Sequence, residues 1–227
     1  MPSLVRLSAN AGAALSLDLA AAAGPGLAGV MIPKAEDPDA VRGIVDALPE
    51  GTPVVLLVET AVGVLAAPML ARVRGVSRLA LGGVDLEADT GISQDPDVLR
   101  SVRVGLTLAS RAAGLPGPID GVCTDLADPA ATAAAREAVR TGFTGKLCIH
   151  PLQVPAVNEV FSPAPDDVRR SSRIVTAADA HGEGAFRLDG QMIDAPVIRR
   201  ARAVLAAEAA FNAADAQARP SVAQMPT

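Results

Sequence analysis

The chain has no tryptophan and no tyrosine, and only four phenylalanines, two histidines and two cysteines. Acidic residues outnumber basic ones, 25 to 20. It therefore lacks both the aromatic platforms that stack bases and the basic footprint that neutralises phosphates, which argues against nucleic-acid binding. Cys123 and Cys148 have no CxxC partner, so they read as reduced thiols of a cytoplasmic protein rather than a disulfide or zinc pair. Membrane-like runs are scarce too. The one such stretch, residues 53–70, carries Glu59 near its middle, at a cost of about 2.5–3.5 kcal/mol at a bilayer centre. Gly63 and Pro68 interrupt it further, and a buried strand, a turn and a helix account for it better. The first six residues hold one basic residue and no sustained apolar run, so no signal peptide is expected.

What is present is 227 residues, half of them hydrophobic, with 20 glycines and 18 prolines. That composition is not of low complexity, and the length suits one domain with at most an appendage. It sits near the lower edge for a (β/α)₈ barrel, which usually takes about 250 residues and rarely fewer than about 200.

Apolar runs alternate with helical segments. Strands are predicted at residues 4–7, 27–32, 54–58, 77–81, 119–123 and 147–149, all continuous apolar runs of the kind buried on both faces. Helices announce themselves at Asp37-Pro38, Asp95-Pro96 and Asp128-Pro129, each a capping carboxylate before a proline at the first helical position. This alternation calls for a parallel sheet, open or closed. From about Asp166 the pattern changes to a polar helix, a glycine-containing loop, a turn or short hairpin at residues 186–194 and a long Ala/Arg-rich helix opened by Pro196. The expected organisation is a parallel α/β sheet, open or closed, over residues 1–165, a helical extension over 166–218 and a disordered tail over 219–227. Gly24-Pro25-Gly26-Leu27-Ala28-Gly29 spells GxGxxG, but it precedes a strand instead of following one, so it reads as a turn and not as a dinucleotide loop.

The strand ends are the informative places. Each run gives way to a polar residue, in turn Lys34, Glu59, Asp85, Asp125 and His150, at intervals of 25, 26, 40 and 25 residues. In α/β folds the carboxyl ends of parallel strands face the ligand, so such residues converge on one mouth. Glu59 and Asp85 form the best chemical pair. Neighbouring strands lie about 4.8 Å apart, and two carboxylates there repel unless a cation lies between them. Two carboxylates, with waters and substrate oxygens completing the shell, is how Mg²⁺ is usually held. The alternative is a pair of solvated acids capping helices. Gly82-Gly83 leaves backbone amides open to an anion. Arg6 and Lys34 supply positive charge, though Glu36 and Asp37 offer Lys34 a surface ion pair instead. His150, before Pro151, either contacts an anionic ligand or hydrogen-bonds locally. His181, in a polar loop, is given no role.

Several blocks carry a resemblance. They are Val5-Arg6-Leu7, Gly29-Val30-Met31-Ile32-Pro33-Lys34-Ala35-Glu36, Leu57-Val58-Glu59-Thr60, Gly82-Gly83-Val84-Asp85-Leu86, the stretch from Gly142-Phe143-Thr144-Gly145-Lys146 through Ile149-His150-Pro151-Leu152-Gln153, and Gly190-Gln191-Met192-Ile193-Asp194-Ala195-Pro196. Running in order over residues 4 to about 205, they resemble the citrate lyase beta-subunit-like branch of the HpcH/HpaI aldolase family. The resemblance implies a TIM (β/α) barrel, here starting at what should be the third strand, and a homotrimer or hexamer whose C-terminal segment reaches a neighbouring subunit. It implies Mg²⁺ at Glu59 and Asp85, and substrate binding with charge stabilisation by Arg6. It also implies acid/base action by Asp194 from the adjacent subunit. The implied reaction makes or breaks a carbon–carbon bond between an acyl-CoA or acyl-carrier enolate and a 2-oxo acid, as with citryl, malyl and citramalyl thioesters. Lys34, Gly82, Gly83, His150 and Pro151 are the further substrate-binding candidates. Leu81 stands where an aromatic is common in the family, and Val84 where a polar residue is common. An aldolase acting on free 2-oxo acids and a non-catalytic paralogue are the alternatives.

Overall fold

Strands form where the sequence runs apolar without alternation. In a computed structural model, which describes residues 3–8, 18, 27–126, 128–182 and 184–218, six of them build one sheet: β1 (Ser3–Arg6), β2 (Leu27–Ile32), β3 (Val54–Val58), β4 (Val76–Leu81), β5 (Ile119–Asp120) and β6 (Gly145–Lys146). Their order in space is their order in sequence, and each pairs in parallel with the next. The sheet curls into a part-barrel of six strands, as the shortened TIM-barrel reading expects.

Two apolar layers explain the unbroken hydrophobic runs. Side chains alternate between sheet faces. Val30, Ile32, Val54, Leu56, Val58, Leu79 and Leu81 point to one cluster, shared with Val41, Leu70, Leu99 and Leu106 of the surrounding helices. Met31, Val55, Leu57 and Ala80 point to the other, closed by Ile119 and Leu147. The helices between strands are α1 (Pro38–Asp46), α2 (Ala61–Leu70), α3 (Gly83–Thr90), α4 (Pro96–Ala112), α5 (Asp128–Arg140) and α6 (Val154–Phe161). Two of the expected caps are made: the Asp37 carboxylate accepts from Asp39 N–H, and that of Asp95 from Asp97 N–H, both at 2.9 Å. Asp128 is itself the first residue of α5. Gly29 has to be glycine, since a Cβ there would lie 2.6 Å from the Pro53 carbonyl that accepts the Val30 N–H. The preceding Gly24–Gly26 turn and the expected 219–227 tail lie outside the described residues.

The last two strands differ from expectation. β5 stops at Asp120 instead of Cys123, and β6 occupies Gly145–Lys146 instead of residues 147–149. The cause is Gln153, which is 2% exposed. Its carboxamide accepts from Ile149 N–H at 3.1 Å and donates to the carbonyls of Cys123 and Asp125. Backbone groups that a longer ladder would use are taken up by this one side chain.

By contact density the chain forms two units, Met1–Phe161 and Ser162–Thr227. The second contains α7 (Pro165–His181), the hairpin β7 (Phe186–Leu188) and β8 (Gln191–Ile193), and α8 (Ala195–Ala218). Its own core gathers Ile174, Ile193 and Ala201 with Phe186 and Ile198. His181 packs its ring against Phe186, centroids 4.9 Å apart. Among the described residues, no helix is long and apolar enough to cross a membrane.

Candidate functional site

The C-terminal ends of β1 to β4 carry the predicted charged residues, and Glu59 is where they meet. It directly follows the fully buried β3 and is 2% exposed itself. Its Oε1 accepts the Lys34 backbone N–H at 2.9 Å. Lys34 makes that bond from a left-handed conformation, φ 47°. This geometry is uncommon for a residue with a side chain, and such residues cluster at functional sites.

From the other side Gly82 presses on Glu59. A Cβ at Gly82 would stand 2.5 Å from Glu59 Cβ and 2.6 Å from Oε2. The absence of a side chain there is what admits the carboxylate. Gly82 N–H donates to the Val58 carbonyl at 2.9 Å, which ties the start of α3 to the residue before Glu59. Among the described residues no side chain caps α3, so amides of its first turn remain available to an anion. Asp85 lies in that first turn.

Burial pushes the Glu59 carboxyl above its ordinary value, against the opposing pull of the Lys34 N–H. Three side-chain charges also act on it: Asp85 raises it further, while Arg6 and Lys34 lower it. The fold thus brings Arg6, Lys34, Glu59 and Asp85, drawn from four consecutive βα units, within electrostatic reach of one another. Arg6, Lys34 and Asp85 are solvent-exposed around the buried Glu59. Among the described residues no three or more His, Cys, Asp or Glu side chains cluster in a metal-binding arrangement. The donor set is two carboxylates and nothing softer.

The other expected residues are placed differently. His150 caps the 3₁₀ turn Pro151–Gln153, its Nδ1 accepting from Leu152 N–H at 3.2 Å, which is the local bond foreseen as its alternative. Pro151 is the exposed first residue of that turn. Asp194 belongs to the second unit and caps α8, accepting from Val197 N–H at 3.1 Å. Cys123 and Cys148 form no disulfide, and burial raises the Cys148 thiol.

The structure adds a buried ion cluster that sequence reading did not single out. Asp120 is fully buried at the end of β5, where Arg103 Nε reaches its Oδ1 at 3.0 Å and Lys146 Nζ its Oδ2 at 2.8 Å. Lys146 also donates to the Gly121 carbonyl at 2.5 Å. Gly121 abuts the β4–α3 turn, so a Cβ there would lie 2.9 Å from the Leu81 carbonyl oxygen. With Gly83, Cys123 and Asp125, the cluster lines a cavity of about 190 Å³. The available signal was an acid inside an apolar run, since a buried carboxylate demands a cation. Asp125, read as the polar end of this strand, lies beyond it in the following loop.

The chain is similar to proteins already known. The HpcH/HpaI aldolase/citrate lyase family profile matches residues 2–151. A citrate lyase subunit beta-like protein of Deinococcus radiodurans is 36% identical over 194 residues, 82% of this chain and 68% of that protein. A (3S)-malyl-CoA thioesterase of Cereibacter sphaeroides is 35% identical over 206 residues, 86% of this chain and 71% of that protein. The crystal structure of CitE from Mycobacterium tuberculosis in complex with magnesium, acetoacetate and coenzyme A superposes with a TM-score of 0.73 at 32% identity, covering 91% of this chain and 78% of that one.

Proposed function

Because the chain belongs to the HpcH/HpaI aldolase/citrate lyase family, we propose that it is a Mg²⁺-dependent carbon–carbon lyase of citrate lyase beta-subunit type. Its substrates would be citryl-, malyl- or citramalyl-CoA-like thioesters, cleaved or formed between an acyl enolate and a 2-oxo acid. The observation that carries this reading is the buried Glu59 carboxylate, packed against Gly82 and acted on electrostatically by Asp85, Arg6 and Lys34.

The residues fit a hard cation. Glu59 and Asp85 are like charges close enough to raise the proton affinity of Glu59, and two carboxylates with open positions for water and substrate oxygens suit Mg²⁺. Magnesium accompanies CitE in the similar crystal structure. When bound, the metal supplies Lewis-acid polarisation of the 2-oxo acid carbonyl.

The protein's own groups do the rest. The uncapped amides after Gly82 and the Lys34 charge orient the carboxylate of the 2-oxo acid. Arg6 offsets negative charge as the enolate develops, an effect that can be worth about 3 kcal/mol in the transition state. Asp194 moves a proton to or from the enolate carbon or the substrate hydroxyl, and it would do so from an adjacent subunit of a trimer or hexamer. His150 presents its remaining ring nitrogen as a donor to an anionic group, with Pro151 beside it. Residues 166–218 would form the extension that reaches that neighbour.

Turnover of citryl-, malyl- and citramalyl-CoA, with and without EDTA, tests the reading. Loss of activity in EDTA and recovery with Mg²⁺ is expected. A folded, Mg²⁺-bound protein that turns over none of the three would overturn it. The likeness to a malyl-CoA thioesterase favours one further reading, hydrolysis of the thioester. Product analysis separates the two, since cleavage of malyl-CoA yields acetyl-CoA and glyoxylate while hydrolysis yields malate and free CoA.

A further inference from the structure

The two carboxylate-bearing segments are tied together by a residue outside the site. Asp89 lies on α3 one turn beyond Asp85, on the same helical face. Its Oδ2 accepts the backbone N–H of Ala61 at 2.8 Å. Ala61 is the first residue of α2 and stands two residues after Glu59.

Ala61 N–H is one of the four amides that a helix leaves unpaired at its start. Thr60, the N-cap, serves Gly63 N–H at 3.1 Å and leaves this one open. On the α3 side, no side chain among the described residues caps the helix, and its start is held through Gly82 N–H to the Val58 carbonyl. That bond fixes where α3 begins but leaves its direction to other contacts. The Asp89 bond acts one turn past Asp85 and supplies a second point of attachment. Two attachments, one on each side of Asp85, hold the helix against the strand end that carries Glu59.

We propose that Asp89 is a positioning residue that sets the separation of Glu59 and Asp85, by closing a frame from Glu59 through Ala61 to α3 and back to Asp85. This rests on the reading of those two carboxylates as the Mg²⁺ site. Asp89 itself is exposed and makes its bond to backbone, so its replacement leaves the core intact.

The test uses the full chain with Asp89→Ala and Asp89→Asn. The asparagine carbonyl can accept the same N–H without the charge. Mg²⁺ titration by calorimetry should show the alanine variant weakened about tenfold, the scale typical for outer groups that orient metal ligands, with the asparagine variant close to wild type. In the metal-free protein, amide hydrogen exchange at residues 84–87 should speed up in Asp89→Ala and not in Asp89→Asn. The idea is overturned by an alanine variant that binds Mg²⁺ like wild type. It is equally overturned by an asparagine variant as weak as alanine, which would make charge the cause and not the bond. If wild type itself binds no Mg²⁺, the metal reading fails. The exchange comparison then still decides the frame, and unchanged exchange in Asp89→Ala removes it.

Discussion

Gly82→Ala should be costly in a way that glycine-to-alanine changes usually are not. Gly82 has φ −102°, so a side chain meets no left-handed strain, and the ordinary expectation is a gain of about 0.4–1 kcal/mol from a less flexible unfolded chain. Against this, the new methyl carbon would sit 2.5 Å from Glu59 Cβ and 2.6 Å from its Oε2. Oε2 can swing away, but Cβ is fixed to the backbone next to β3, so the start of α3 or the end of β3 has to shift. Overpacking of this kind costs about 1–3 kcal/mol, and glycine also outranks alanine at a helix N-cap. The net expectation is a loss of about 1–2 kcal/mol, read as a lower urea midpoint. Mg²⁺ affinity should fall with it, because Glu59 is the group displaced. Gly43 supplies the control in the same protein. It lies inside α1 with nothing within 4 Å of its Cβ position, so Gly43→Ala should stabilise by about 0.5–1 kcal/mol. Adding Glu59→Ala to Gly82→Ala should recover part of the loss, since the Cβ–Cβ contact remains. If Gly82→Ala raises the midpoint as Gly43→Ala does and binds Mg²⁺ normally, Glu59 does not pack as described and the site has been built on the wrong carboxylate.

Other outcomes follow from the same contacts. Glu59 holds its proton more tightly folded than unfolded, so its contribution to the stability of the metal-free protein falls as pH rises through the interval between those two values. Glu59→Gln should remove that slope, as the difference between urea midpoints of variant and wild type between about pH 4 and pH 8, and should abolish Mg²⁺ binding in calorimetry. Asp120→Ala leaves Arg103 and Lys146 buried without their carboxylate and should cost about 3–5 kcal/mol in chemical denaturation. Gln153→Leu strands Ile149 N–H and the Cys123 carbonyl, for a loss of about 1–3 kcal/mol. Its amide exchange should rise around residues 121–125 and 147–150, and a variant as stable as wild type would show those groups to be satisfied otherwise.

Local chemistry was legible. The β3 run stops at the first ionisable residue, and Asp37-Pro38 and Asp95-Pro96 start helices where they stand, because a cap and its amides lie within three residues of each other. The parallel alternation and the family blocks located Arg6, Lys34, Glu59 and Asp85 for the same reason: each sits at its own strand end. Those four residues meet because consecutive strands are neighbours in the sheet, which the alternation already implied.

Pairings across long intervals were not legible. Asp120 finds Arg103 17 residues away and Lys146 26 residues away, and neither cation differs in the sequence from the arginines left on the surface. The early end of β5 depends on a glutamine 30 residues on. Asp85 and Asp89 both read as acids of a short helix, and only packing brings one within electrostatic reach of Glu59 and lets the other take an amide of α2. The sequence by itself determined which segments become strands and helices and which residues close each one, since hydrophobic period and capping act over a few residues. The tertiary structure decided which charges are buried and what they hold, since desolvation and pairing depend on neighbours that the chain brings together only when the sheet has curled.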